Sequence, residues 1–559
     1  MRTLPFILFL TIVVAGCNEN SGFSAGNETS IEFSTSDSIL DQLYHHAEAK
    51  ATWNITSFGD YEVLVEGAQY KNVWLETQPM GGYMYAKRNL TVARNNIMIF
   101  LDHQRADGRL PGMIAYKNQK IEPKYGWFQG FCLPMPAFEL YFLLGKDSNY
   151  LGKLYRSLEL FDTYLWKTRD SDQDGCLESW CIWDTGEDES SRFNGFPNAW
   201  PFDYPPSKER IAGMSEKYLI EQCEEEYFDS QTPLPVPIES MDIMSYSYTC
   251  RDILSLISVE LNNGKEKEWR EQANQVKSKI RDYLWDEAKK ACFDKDANNT
   301  TMPILLHNNL RCMYFGSFDQ AMADEFIEHH LLNPEEFWTP MPLPSVAAND
   351  PYFRDIPGNN WSGQPQGLTF QRSISALENY GHFAELTLIG KTLLEVVSDS
   401  MKFTQQFYPF QKTINNTQDG YGPTILATLE FISRFYGTHV SQDKILWSSI
   451  DNQHDYDYMQ RWNGLELRTQ TKKDGWATCF VNGKKIAAFS AGVRLITDLQ
   501  GQLIEIVGIT SSKETIKAKV NGKSYDLTVN PNTRYRLNDR GEFVRYKSVP
   551  FTSKWQTVH

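Results

Sequence analysis

The stretch WDTGEDESSRF, Trp183 to Phe193, sets Asp184, Glu187, Asp188 and Glu189 close together and follows them with Arg192. Carboxylates this close repel, and a like charge disfavours ionisation. A carboxyl kept protonated near neutral pH in this way can serve as a general acid, handing a proton to a departing oxygen. The plain alternative is a solvated acidic turn. That accounts for Glu187 and Glu189 but poorly for Trp183, Gly186, Ser191 and Arg192.

A second acidic pattern lies just upstream, Asp170-x-Asp172-x-Asp174-Gly175. Oxygen ligands at alternating positions before a glycine suit a calcium loop. A complete EF-hand needs glutamate at the twelfth position, where Cys181 stands, so a full EF-hand is excluded. Two readings stay open: a plain acidic turn, or an EF-hand-like loop finished by a distant carboxylate and holding a structural Ca2+. No other cofactor is required. The eight cysteines after Cys17 form no CxxC, which argues against zinc. Cys176 and Cys181 could pair across a loop, or remain buried thiols. His45-His46 and His329-His330 fall on helical stretches and read as surface or core residues.

These groups must be held by a scaffold, and most of the chain supplies helices. Apolar residues recur at helical spacing in DSILDQLYHHAEAKA, YAKRNLTVARNNIMIFLDHQ, YLGKLYRSLELFDTYLWKT and PTILATLEFISRFYG, among others. About eleven or twelve helices are expected between residue 36 and about 440, separated by long loops rich in Gly, Pro, Asn and Asp. Loops of that length in a compact domain are usually functional. Beyond Gly437 the period changes to two, and Asn482-Gly483 and Asn521-Gly522 mark hairpins. Residues 445–545 therefore read as a small all-β module of sandwich type.

The first seventeen residues stand apart. Met1-Arg2 leads an apolar run too short to span a bilayer comfortably, and VAGC, Val14 to Cys17, resembles the lipobox in which cysteine is lipidated. Residues 1–17 are expected to be a lipoprotein signal peptide and 18–35 a polar tether. The expected location is the bacterial cell envelope, lipid-anchored at the outer membrane, with the N-terminal lipid as the membrane contact. The net charge of -16 argues against a nucleic-acid partner. Aromatic residues reach 13%, and Trp74, Trp127, Trp183, Trp338 and Trp361 fall in loops, where they could stack on sugar rings.

The segment around Asp188 resembles the W-E/D-S/T-G-x-D-x-S-x-R motif of inverting glycoside hydrolases with an (α/α)6 barrel: trehalases, processing α-glucosidase I and mannosylglycerate hydrolases. Other parts follow in order. WLETQPMGGYMYAKRNLTVARNNIMIFLDHQRADGRLPGMI resembles the first barrel motif and FQGFCLPMPAFELYFLLGKD a proline-opened helix. ESMDIMSYSYTCRDILSLI places Asp242 at a family aspartate, and NNWSGQPQGLTFQRSISALENYG contains Trp361 and Gln364. The mannosylglycerate-hydrolase-like domains of secreted bacterial proteins are the nearest group. The resemblance implies a mainly α fold, an (α/α)6 toroid (six-hairpin barrel) over residues 36–440 followed by the β-module, and a carbohydrate substrate. It makes Asp188 the general acid, with Trp183, Trp361, Gln364 and Gln405 as substrate contacts, to which the loop aromatics Trp74 and Trp127 add; Arg192 could pair with a flanking acid or contact substrate hydroxyls.

The pattern breaks at the base. The family's glutamate belongs to E-x-Y-x-P, and here FTQQFYPFQKT puts Gln405 in its place, with Pro409 fixing the register. An amide cannot take a proton from water. Ser362 likewise stands where the family has arginine. Either the base has moved, with Glu76 and Asp419 as candidates, or the barrel is catalytically degenerate and binds carbohydrate without hydrolysing it. Glu76 could equally be a structural hydrogen-bonding carboxylate, and Asp419 a helix cap.

Overall fold

The computed structural model describes residues 29–193, 196–207, 237–451, 453–473, 475–520, 522–538, 540–551 and 555. The expected signal segment with Cys17, most of the expected tether, Cys223 and Asn521 lie outside the described residues. Among the described residues no helix is long and apolar enough to cross a membrane.

Twelve α-helices are described: α1 Ser38–Trp53, α2 Gln78–Tyr85, α3 Leu90–Asp102, α4 Pro134–Leu143, α5 Ser148–Thr168, α6 Met241–Leu261, α7 Glu266–Lys279, α8 Asn308–Phe315, α9 Gln320–Phe326, α10 Gly367–Tyr380, α11 Phe383–Ser400 and α12 Gly422–Tyr436. Their starts follow local chemistry. Asp37, Asn89, Asp147 and Ser240 accept backbone N–H bonds at the first turns of α1, α3, α5 and α6. Proline opens α4 and follows Gly422 in α12, where its missing N–H costs nothing.

Two kinds of helix result. Every residue of α8 and of α12 is buried, whereas α7 buries only Trp269, Ala273 and Val276. The polar side chains of the two inner helices are paired, Asn308 with Asp242, Arg311 with the Thr185 carbonyl and Glu430 with Lys87, so these helices can sit inside, whereas one with a narrow apolar stripe belongs at the surface. The packing follows that division: α2 lies on α4, α4 on α6, α6 on α8, α8 on α10, α10 on α12, and α12 back on α2. The odd-numbered helices pack outside this closed series, α3 on α2, α5 and α7 on α6, and α1 and α11 on α12.

The C-terminal part is two antiparallel sheets. The strands Thr438–Ser441, Lys444–Ser449, Val493–Asp498, Leu503–Gly508, Thr533–Leu537 and Phe543–Ser548 form one. Tyr456–Trp462, Leu465–Lys472, Trp476–Val481, Lys484–Phe489, Glu514–Val520 and Lys523–Val529 belong to the other. Alternate residues Leu467, Thr469 and Thr471 face inward, as a half-buried strand requires. Asn482 (φ 50°) and Gly483 (φ 72°) make the expected two-residue hairpin between Val481 and Lys484.

Two expected boundaries move. The module begins at Thr438 and runs to Ser548. Ser30–Thr35, assigned to the tether on its polar composition, is a seventh strand of the second sheet, in register from Ser30↔Arg461 to Thr35↔Tyr456. Phe33 carries it: the ring is buried against Tyr44, Tyr456 and Tyr458. Six residues with two large apolar side chains, Ile31 and Phe33, do not stand out from a polar tract. Module and helices share one continuous core, and Arg494 of the first sheet pairs with Glu378 of α10 at 2.7 Å.

Candidate active site

A cavity of about 100 Å³ is lined by Glu66, Tyr70, Trp74, Glu76, Gln129, Trp183, Gly186, Asp188, Asn359, Trp361, Gln405 and Tyr421. Each lies in a connection that leads into α2, α4, α6, α10 or α12, so the site is built at the N-terminal ends of the inner helices. Those ends carry the positive pole of the helix dipole, a favourable setting for carboxylates and sugar oxygens.

The four crowded acids separate. Asp184 turns inward, fully buried, and pairs with Arg169 at 2.5 Å while accepting the N–H of Trp180 and Phe128. Glu187 also turns inward. It pairs with Arg192 at 2.6 Å and accepts from Thr185 and Asn308. Burial alone would raise Glu187, but Arg311 and Arg192 outweigh it and hold the carboxyl well below its usual range. Burial pushes His307, 3.3 Å from Glu187, down to about 4, so that ring is neutral. Arg192 completes the charged cluster with Asp242 at 2.8 Å and Asp294 at 2.7 Å. Arg192 therefore holds acids and does not line the cavity.

Asp188 faces the other way, into the cavity. Its Oδ2 accepts a hydrogen bond from Asn359 Nδ2 at 2.6 Å, and its backbone carbonyl accepts the N–H of Trp361. Burial raises its pKa most; the Asn359 bond opposes the rise and the charge of Glu76 adds to it, with a net position of about 7. The expected cause is thus corrected. Asp184 and Glu187 are neutralised by arginines, and burial with Glu76 and Glu189 does the work assigned to them. Backbone geometry makes the divergence: Gly186 (φ 72°) and Glu189 (φ 53°) are left-handed on either side of the pair. A Cβ at Gly186 would sit 2.5 Å from Glu76 Oε2, so only glycine fits there.

Glu76 lines the cavity but is engaged: Arg372 donates to Oε1 at 2.5 Å and Arg311 lies 3.9 Å away. Asp419 does not line the cavity. It pairs with Lys50 at 2.7 Å and accepts the N–H of Phe403. Gln405 does line it. Its Oε1 accepts from Tyr70 at 2.8 Å, and its Nε2 donates to Asn359 Oδ1. Trp74, Trp183 and Trp361 form walls, while Trp127 stands behind Trp183 in edge contact, ring centroids 4.9 Å apart. Gln364 is buried outside the cavity, bonded to Asp355 and Asn415, and Trp338 packs against the core. Sequence reasoning missed Glu66, Tyr70, Gln129, Asn359 and Tyr421. Asn359 opens the quoted stretch NNWSGQPQG and Gln129 lies within FQGFCLPMP, so both could have been noticed; Glu66 carried no local signal.

Away from the cavity lining, oxygen atoms of Asp170, Asp172 and Asp174 lie within 4.8 Å of one another, as do those of Asp172, Glu178 and Glu239. Glu239 is almost fully buried, and its Oε2 accepts no N–H or O–H hydrogen bond among the described residues, the Cys176 thiol being the neighbour that bonds its carboxyl. Seven described cysteines, Cys176 and Cys181 included, are free and buried.

A carboxyl held near its midpoint at neutral pH, facing a hollow walled by indoles, is the equipment of a glycoside hydrolase. Residues 82–422 match the model of the mannosylglycerate hydrolase MGH1-like glycoside hydrolase domain, and the chain belongs to that family. Among solved structures, the family 63 mannosylglycerate hydrolase of Thermus thermophilus, in complex with glucose, matches with a TM-score of 0.54 at 17% identity. That match covers 70% of this chain and 100% of that one. A sialidase matches at 0.61 and 14%, over 84% of this chain and 41% of its own. A family 78 rhamnosidase of Bacillus sp. GL1 matches at 0.50 and 10%, over 82% and 40%. At these identities the likenesses show the fold. No curated protein matches the sequence.

Proposed function

We propose that this chain hydrolyses a glycosidic bond in a carbohydrate with inversion, using Asp188 as the general acid. The observation that carries this is the placement of Asp188: in the cavity, without a cationic partner among the described residues, and pushed up to about 7. In that state its proton can pass to the glycosidic oxygen as the bond to the anomeric carbon breaks, while a water attacks from the opposite face. Trp74, Trp183 and Trp361 would hold the sugar, and Gln405 would orient Asn359 against Asp188. The closed series α2, α4, α6, α8, α10, α12 supports reading the helices as the (α/α)6 toroid. A panel of glycosides assayed with wild type and Asp188→Asn tests the proposal: release by wild type, lost in the variant, is expected. Binding without release by wild type on every sugar would refute it.

A second reading, a carbohydrate-binding protein without turnover, is favoured by one observation: Gln405 stands at the family's base position and both ends of its amide are hydrogen-bonded. The same panel separates the two. Lipidation at Cys17 and an outer-membrane location remain proposals resting on the VAGC segment. For the acidic loop, the two carboxylate groups that share Asp172, one with Asp170 and Asp174 and the other with the buried Glu178 and Glu239, favour a structural Ca2+ over a plain turn.

A further inference from the structure

We propose that Glu66 is the general base of this site, standing in for the carboxylate that Gln405 cannot provide; the inference rests on the reading of Asp188 as general acid.

Three carboxyls line the cavity: Glu66, Glu76 and Asp188. An inverting site needs two of them, one to give a proton and one to take one from water. Glu76 is committed to Arg372 and Arg311. Asp419 is committed to Lys50 and does not line the cavity. Glu66 makes no ion pair with the described residues. Its Oε1 accepts the hydroxyl proton of Tyr421 at 3.0 Å, and its Oε2 accepts no hydrogen bond among the described residues, which leaves that oxygen for a water.

The surroundings put Glu66 in the neighbourhood of Gln405. Tyr421, bonded to Glu66, meets Tyr70 edge-on with ring centroids 6.2 Å apart, and the Tyr70 hydroxyl donates to Gln405 at 2.8 Å. Gln405 in turn donates to Asn359, and Asn359 donates to Asp188. Glu66 and Asp188 thus stand at the two ends of one arc of polar groups, with no hydrogen bond between them. The carboxylate arrives from the connection before α2, whereas the family's comes from the connection before α12. The two connections are held together there: Gly422 donates its N–H to the Glu66 carbonyl at 2.6 Å. Burial and the charge of Glu76 both raise the Glu66 carboxyl, the Tyr421 bond opposes this, and Asp188 raises it further. That shift disfavours the ionised form a base needs, so the assignment rests on the position of Glu66 in the cavity and its lack of an ion pair, and the working state is the one in which the proton sits on Asp188 and Glu66 is ionised.

The step balances simply. Water loses a proton to Glu66 as its oxygen bonds the anomeric carbon; the glycosidic C–O bond breaks, and its oxygen takes the Asp188 proton. The products are the sugar of inverted configuration and the free alcohol, and solvent exchange resets both carboxyls.

The test compares wild type, Asp188→Asn, Glu66→Gln and Glu66→Asp on α- and β-glycosyl fluorides and on unactivated glycosides, with the product anomer read by NMR. Fluoride departs with little help from an acid. Asp188→Asn is therefore expected to keep much of its rate on the fluoride while losing about 10²–10⁴-fold on the glycoside. Glu66→Gln is expected to lose about that much on both, with azide restoring turnover to a glycosyl azide. Glu66→Asp keeps the charge and is expected to fall between, with an unchanged melting temperature. Glu66→Gln retaining more than about a tenth of the wild-type rate, or behaving like the acid variant by recovering on the fluoride alone, would overturn Glu66 as base and leave Asp188 standing. A wild type silent on every fluoride and glycoside would instead overturn the hydrolase reading itself.

Discussion

Two polar regions lie side by side at the N-terminal ends of the inner helices. In the lower one Arg169 and Arg192 neutralise Asp184, Glu187, Asp242 and Asp294. In the upper one Asp188 and Glu66 face a cavity with tyrosines and amides and pair with no cation among the described residues. Glu187 and Asp188 are neighbours in sequence and fall on opposite sides of this divide. One is held well below its usual pKa range and the other is raised to about 7. Residue type does not separate the two carboxylates; the partner does. Arginine fixes charge and shape, whereas burial without arginine leaves a proton to be moved.

The largest effects should come from crossing the divide. Asp188→Asn should lower kcat on an unactivated glycoside by about 10²–10⁴-fold and leave the melting temperature nearly unchanged. Arg192→Met should do the reverse. It strands three buried carboxylates, and removing one partner of a buried pair costs about 3–5 kcal/mol, readable by urea unfolding. If Arg192→Met instead left stability intact and abolished turnover, the distinction drawn between the two regions would fail.

A finer comparison uses pH. The acid must be protonated to act, so kcat should fall about tenfold per pH unit above pH 7. Stability should respond elsewhere. Burial would raise Glu378, but Arg434 and Arg494 outweigh it and place it at about 2. Its folded pKa is depressed, so its stabilisation is present above the ordinary carboxylate range and is lost as pH falls toward 2. Glu378→Gln should flatten that acid limb of the stability profile and leave the kcat profile in place. The smallest expected effect is a rise of a few degrees in melting temperature on adding Ca2+, reversed by chelation and absent in Glu239→Gln.

Much of the scaffold was legible because its signals are local. Apolar residues at helical spacing announced the helices, Asn482-Gly483 announced a hairpin, and the motif around Asp188 is contiguous. The cavity was less so. Glu66, Asn359, Gln405 and Tyr421 are separated by up to 355 residues and meet only when the inner helices close on one another. The opposite directions of Glu187 and Asp188 depend on left-handed backbone at Gly186 and Glu189, and no spacing rule conveys that for a glutamate. Arg192, Gln364 and Trp127 sit inside or near recognisable motifs because those motifs encode the support of the site as well as the site.

The strand Ser30–Thr35 bears on how this polypeptide can be cut. Because it lies at the margin of a sheet otherwise made from the far end of the chain, the β-module belongs to both termini. Ending the polypeptide at Gly437 would strip that strand of its one neighbour and expose an unsatisfied edge to other copies, a route to aggregation. A soluble helical fragment would have to be trimmed at both ends, starting no earlier than Ser36.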